Sequence, residues 1–275
     1  MKPLRRPCIF CGTPEGLSKE HFWPEWMALH LPVPPSTSNI GEFYESEGKQ
    51  PHRLERRSER PGAVHTKKIR AVCGRCNNGW MSVLETRAKP ILLQFITREG
   101  TVLLPDQCEV LSLWASVKAI VGEYSTDDTA MTLMDDRHAV RQDRVPSYFR
   151  IFLALHELKT HSGYARHSTT LSLSREGPVP SLPRTISRNI QAISFIVGPL
   201  LFYVACARVS GFNLSALDPR GLMHRLSPMP DAAIDLQETK ALTQGQVASI
   251  SNLLPSFWSS PITHYGGPLR RDDAT

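Results

Sequence analysis

Residues 73–89 read Cys-Gly-Arg-Cys-Asn-Asn-Gly-Trp-Met-Ser-Val-Leu-Glu-Thr-Arg-Ala-Lys, a cysteine pair that runs directly into a helical pattern. Trp80, Leu84 and Ala88 recur every four residues with Met81 beside them, which predicts a helix over Asn77–Lys89 with one apolar stripe. Pro90 is expected to end it, because proline lacks the N–H that an interior turn needs. Upstream, Thr66–Val72 reads as a short basic strand leading into the pair. A second pair, Cys8-Ile-Phe-Cys11, is separated from the first by 61 residues. A two-residue gap lets both thiolates of a pair reach one ion, and two such pairs complete a tetrahedral site for a structural zinc ion, with Cys8, Cys11, Cys73 and Cys76 as ligands. A redox pair would need only one such motif.

Strand, cysteine knuckle and helix in that order describe the second half of a treble-clef zinc module. The long spacing between the knuckles calls for an insertion, and the polar residues 39–66, without apolar periodicity, are read as that insertion or loop. The remaining cysteines, Cys108 in an expected amphipathic helix and Cys206 in an expected strand, are read as core residues.

The chain has 275 residues, of which 41% are hydrophobic. That suits one large domain or two small ones and excludes a wholly disordered chain. The longest apolar run, Ala192–Ala207, is 16 residues and is broken by Ser194, Gly198 and Pro199. A membrane-spanning helix needs about 20, so no membrane partner is expected. Met1–Cys11 lacks the apolar stretch of a secretory signal, which predicts a cytoplasmic location and argues against disulfides. The formal net charge is +6, and all of it lies in residues 1–100, with 16 Lys+Arg against 10 Asp+Glu; residues 101–275 hold 16 of each. The excess is densest between Pro51 and Cys76, where Arg56, Arg57, Lys67, Lys68, Arg70 and Arg75 are candidate contacts for nucleic-acid phosphates. A solvated loop is the plainer reading of such a run.

Residues 91–104 fit helix or strand. Pro105–Tyr124 reads as a helix with Val110, Leu113, Trp114, Val117 and Val121 on one side. Phe149–His156 and Thr169–Ser174 read as strands, Ile193–Val209 as a strand or a hairpin bent at Gly198-Pro199, and Thr243–Leu254 as a short helix. The fold class expected is therefore α+β: residues 1–92 as the zinc module, 93–265 as an α+β accessory domain, and 266–275 as a flexible tail.

Between the knuckles stands Lys19-Glu20-His21-Phe22-Trp23-Pro24, and Asn77 and Asn78 follow the last cysteine. On Cys8-x-x-Cys11, Glu20-His21-x-x-Pro24 and Cys73-x-x-Cys76-Asn77 the sequence resembles the HNH endonuclease family in its zinc-bound ββα-metal form. Asn78-Gly79-Trp80-Met81-x-x-Leu84-Glu85 looks like the tail of a bacterial and phage subgroup. The resemblance covers roughly residues 5–90. It implies a hydrolase that cuts phosphodiester bonds in duplex DNA. His21 would be the base that activates water, and a catalytic Mg2+ or Mn2+ ion would be held by Glu20 and by Asn77 or Asn78. The zinc would be structural. A helix N-terminus would add donors for the scissile phosphate. An imidazole, with an ordinary pKa of about 6.5, suits proton abstraction from water. Adjacent residues of a regular strand point to opposite faces, so Glu20 and His21 need a bulge or turn to share a cleft.

The sequence departs from the family at its middle position, where His65 is the nearest match. It also has Glu where Asp would shorten the ligand, and Trp80 where a lysine is frequent; Arg75, Lys67 or Lys68 would supply that contact. Two other classes fit the same residues. One is a zinc-stabilised nucleic-acid-binding module without catalysis, and the other an interaction adaptor stapled by zinc. Cleavage of both strands would favour a homodimer. The competing reading of Asn77 is a helix N-cap, and that of Glu20 a salt bridge.

Overall fold

The computed structural model describes residues 6–14, 16–32, 38–45, 53–61, 67–125, 130–158, 162–170, 188–219 and 221–259. It is a mixed α+β fold. Strand β1 (Leu17–His21) is followed by a 3-10 turn over Glu25–Leu29, then β2 (Ser38–Glu45), β3 (Arg53–Pro61) and β4 (Lys68–Cys73). One helical turn, α1 (Gly74–Cys76), leads through a π-helical segment, Asn77–Met81, into α2 (Ser82–Ile96). Then come β5 (Val102–Leu103), α3 (Pro105–Gly122), α4 (Met134–Arg141), β6 (Phe149–Leu155), β7 (Ser162–Thr169), β8 (Ile190–Val197) and β9 (Leu200–Ala207). The elements β10 (His224–Ser227), β11 (Ile234–Asp235), α5 (Gln244–Ser251) and α6 (Leu253–Ser259) complete the order. Among the described residues no helix is long and apolar enough to cross a membrane.

The 16-residue apolar run is a hairpin buried on both faces. β8 and β9 pair antiparallel in the middle of a five-stranded sheet ordered β10-β6-β9-β8-β7, and every residue of both strands is buried. Side chains alternate across the sheet. Ile193, Phe195, Val197, Phe202 and Val204 join the core that faces α3, whereas Ala192, Ile196, Leu201, Tyr203 and Ala205 join a second core that includes Val247, Ile250 and Leu254 of α5 and α6. The bend falls at Gly198, whose φ of +59° suits glycine. A Cβ there would also sit 2.9 Å from Ile96 Cγ1. Gly198→Ala should therefore cost about 1–3 kcal/mol, from left-handed strain plus overpacking, read as a lower urea midpoint with an unchanged slope.

The sequence-based reading needs correction at several elements. Pro90 lies inside α2, which runs on to Ile96. An interior proline costs about 3 kcal/mol, and here the turns around it bury Ala88, Ile91, Leu92 and Phe95 against the core, which offsets that loss. Helix α3 is not one-sided: every residue from Val110 to Gly122 is buried. Residues 39–66 are not simply loop, since β2 and β3 form an antiparallel pair over 38–61. Ile40, Phe43, Tyr44 and Leu54 are scattered among polar residues without regular alternation, so the pattern hides these strands. The strand expected at Thr169–Ser174 lies earlier, as β7, and residues 171–174 are outside the described residues. The tail 266–275 is outside them too.

One hydrophobic core runs from the first knuckle to the sheet. It contains Cys8, Phe10, Phe22, Trp23, Leu84 and Leu92 together with Trp114, Phe195 and Phe202. Trp23 stacks on Trp114 at 6.2 Å and tilts against Phe195 at 5.6 Å. The residue-92 boundary expected from the sequence falls within α2, and α2 packs on α3. The C-terminal end of α3 is tied to the sheet by the fully buried Glu123 carboxylate. It accepts from Thr132 Oγ1 at 2.8 Å, from the backbone N–H groups of Met131 and Thr132 at 3.2 Å, and from Gln191 Nε2 at 2.7 Å. This fixes the end of α3 against β8.

Candidate functional site

The two knuckles close on one another. The sulfurs of Cys8, Cys11, Cys73 and Cys76 all lie within 4.8 Å of one another. Cys11 Sγ is 3.6 Å from Cys73 Sγ. Four thiolates at about 2.3 Å from a tetrahedral zinc stand roughly 3.8 Å apart, so the donor set fits a structural zinc ion. Backbone N–H groups support the sulfurs: Cys73 N donates to Cys8 Sγ at 3.3 Å and Cys76 N to Cys73 Sγ at 3.5 Å. Burial works against a Cys73 thiolate, yet the Cys76 N–H and the neighbouring thiols favour it and lower its pKa to about 7. Burial pushes the Cys76 thiol up to about 12, and it raises Cys11 as well. Zinc binding therefore displaces protons and tightens as pH rises. Phe10 packs edge-on against Trp80 at 4.9 Å beside the knuckles.

Beside this cluster lies a cleft of about 460 Å3. Its walls include His21 from the end of β1, Asn77 and Asn78 from the π-helical segment, Glu85 and Lys89 from α2, and Trp114 and Lys118 from α3. His21 and Asn77 thus share one cleft although 56 positions separate them in the chain. Two local features place them. The pairing of β1 with β4 shifts register between Ser18 and Glu20, an irregularity just ahead of His21. The wide π-helical turn then carries Asn77 past the knuckle, with a kink at Gly79 (φ −94°, ψ −114°). Asn77 has helical dihedrals of −61° and −55°, and Cys73, not Asn77, is the N-cap of α1. The N-cap reading of Asn77 is thereby replaced.

His21 Nδ1 lies 3.3 Å from Glu25 Oε1, one turn further along. The Glu20 side chain and His65 are outside the described residues, as are the side chains of Arg56 and Arg57. The backbone register nevertheless sets Glu42 opposite Arg57 and Glu45 opposite Arg53, so acidic positions face part of that basic strand. Lys68, Arg70 and Arg75 are exposed around the module. Lys67 is half-buried with Nζ 5.2 Å over the Tyr164 ring, and burial lowers its pKa. Among the described residues the lysines that line the cleft are Lys19, Lys89 and Lys118.

The sequence reading missed the cleft floor. Glu85 Oε1 accepts from Trp26 Nε1 at 3.0 Å, and Oε2 accepts from Trp114 Nε1 at 2.9 Å. Lys118 Nζ is 3.6 Å from Glu85 Oε2 and 5.4 Å above the Trp114 ring. One carboxylate thus joins the knuckle side of the cleft to α3. Glu85→Ala would leave two indole donors and a buried ammonium without their acceptor, and should cost about 3 kcal/mol, read by urea unfolding. The available signal was Lys118 itself, a lone charge within Ala115–Val121, an otherwise uncharged and largely apolar helical stretch.

No protein-family model, curated protein or solved structure matches this chain.

Proposed function

We propose that the chain is a metal-dependent endonuclease of the HNH type that hydrolyses phosphodiester bonds in DNA. The observation that carries this reading is the shared cleft: His21 and Asn77, brought together beside a four-cysteine cluster. On this reading β1, β4, the second knuckle and α2 are the strands and helix of a treble-clef ββα-metal module closed by zinc. Glu20 and Asn77 hold a divalent ion. Bound magnesium or manganese would neutralise charge on the phosphate and stabilise the leaving oxygen. Asparagine and glutamate oxygens suit such hard cations.

The work of the chain's own residues follows from the geometry at His21. With Nδ1 set 3.3 Å from Glu25 Oε1, that carboxylate favours the proton on Nδ1, which would keep the lone pair of Nε2 for water. Nε2 takes the proton of the attacking water. The water oxygen bonds to phosphorus as the bond to the leaving sugar oxygen breaks, and that oxygen takes a proton from solvent. Lys19 and Lys89 would supply positive charge for the phosphodiester.

The test is supercoiled plasmid incubated with protein carrying its tightly bound zinc, in magnesium or manganese and in EDTA. Nicking or linearisation only with added metal is the expected result. Salt-dependent DNA binding without cleavage under any condition would favour a zinc-stabilised binding module instead.

A further inference from the structure

We propose that Lys118, delivered by α3 from beyond the cysteine module, is a phosphate-binding residue of the cleft. The inference rests on reading the cleft as a site that holds a phosphodiester. It assigns a function to a helix that the family resemblance does not reach.

The argument starts from cost. Lys118 is 4% exposed in a helix whose neighbours from Val110 to Gly122 are all buried. A lysine in such a place needs a reason, because a well-packed apolar side chain is usually as stable there or more so. Glu85 is a partial reason. Its ion pair with Lys118 is 3.6 Å long, well beyond the 2.7–2.9 Å of a strong charge-assisted bond. Both oxygens of Glu85 already accept from indole N–H groups. The ammonium has three donors, and this loose contact does not saturate them.

Position supplies the rest. Lys118 lines the same cleft as His21 and Asn77. Glu85 holds the lysine at the floor, and the Trp114 ring beneath it favours the cation. The end of α3 is anchored by the buried Glu123–Gln191 contact, so the lysine is presented from a fixed helix. Lys19 and Lys89 on the rim add charge of the same sign, with Lys89 Nζ 5.5 Å over the Trp26 ring. A buried ammonium with more exposed ones beside it suits a phosphate group entering from the open side. That phosphate belongs to a nucleic-acid backbone or to a free nucleotide, and the experiment separates the two.

The zinc-loaded full chain, without magnesium, is titrated with thymidine 3′,5′-bisphosphate and with a short DNA duplex, read by the fluorescence of the cleft tryptophans. Lys118→Met should weaken bisphosphate binding by about 10–100-fold, the loss of a charge-assisted contact, while Lys118→Arg retains most of it. In the wild-type protein, bound bisphosphate should shift the ε-carbon resonance of Lys118, read by NMR of protein carrying 13C-labelled lysine, which needs no variant to fold. Competition by the duplex identifies a backbone phosphate, and binding of the bisphosphate alone identifies a free nucleotide; either supports the inference. Unchanged affinity in Lys118→Met, or no shift of the Lys118 resonance in the wild type, overturns it. Those results stand apart from the nuclease reading. Cleavage that still depends on His21 but is untouched by Lys118→Met sinks the inference alone. Loss of bisphosphate binding in Lys118→Met, with no cleavage by the wild type, sinks the nuclease reading alone.

Discussion

Removing the zinc should open the N-terminal module. The two knuckles are 61 residues apart in sequence, and the ion would be the link that holds Cys8 and Cys11 to Cys73 and Cys76. Without it the four buried or part-buried thiols face one another with no cation. What remains between the knuckles includes the short β1–β4 pairing, the backbone bond from Ile9 N–H to the Ala71 carbonyl, the Phe10–Trp80 contact and the anchors Phe22 and Trp23 in the core. Structural zinc sites contribute about 10–16 kcal/mol of apparent binding energy at neutral pH, comparable to the whole stability of an ordinary domain. A strong chelator, or Cys76→Ser, should therefore expose Lys67–Arg75 to trypsin, while the bond after Arg150 in β6, an inner strand of the five-stranded sheet, stays protected. Native mass spectrometry should find one zinc per chain beforehand. The same tryptic pattern with and without zinc would mean that the cysteine cluster is not what holds this module closed.

The second large effect is expected at His21. Loss of a general base typically costs about 10²–10⁴ in rate. His21→Ala should lower cleavage by that factor and leave duplex affinity within about twofold, because the lysines that line the cleft and release counterions are untouched. Stability should change little as well, since His21 is part-exposed and its partner Glu25 is exposed. Separating rate from affinity and from folding in this way distinguishes a base from a residue that merely shapes the loop.

What the sequence revealed, and what it hid, divides by range. Cysteine pairs with two-residue gaps are local, and their meeting was legible. So was the hairpin turn at Gly198-Pro199, because glycine at positive φ leaves a mark on the chain. The strand entering the second knuckle and the helix over Pro105–Tyr124 were legible for the same reason. The Asn77–Lys89 pattern identified a helix, but its start is π-helical and its end lies beyond Pro90, since packing of Ile91, Leu92 and Phe95 outweighs the local penalty. The β2–β3 pair was hidden because Ile40, Phe43, Tyr44 and Leu54 follow no regular alternation along its strands.

The site shows the same division. His21 and Asn77 were marked by a motif. Glu85 stood in the motif's tail without a role, and Glu25 and Lys118 lay outside it, because each gains its meaning from a partner that only the fold supplies. Glu85 and Lys118 look like ordinary charges on two helices until α2 and α3 pack and bring them to 3.6 Å. Trp26 and Trp114 look like core aromatics, and both are hydrogen-bonded to one carboxylate.

The measurement that bears most directly on the central claim is plasmid cleavage by wild-type and His21→Ala proteins side by side. Both should be zinc-loaded, matched in thermal stability and supplied with magnesium. The account predicts conversion of supercoiled DNA by the wild type and a loss of at least about a hundredfold in the variant. Equal cleavage by the two proteins would contradict it, because the base would then lie elsewhere.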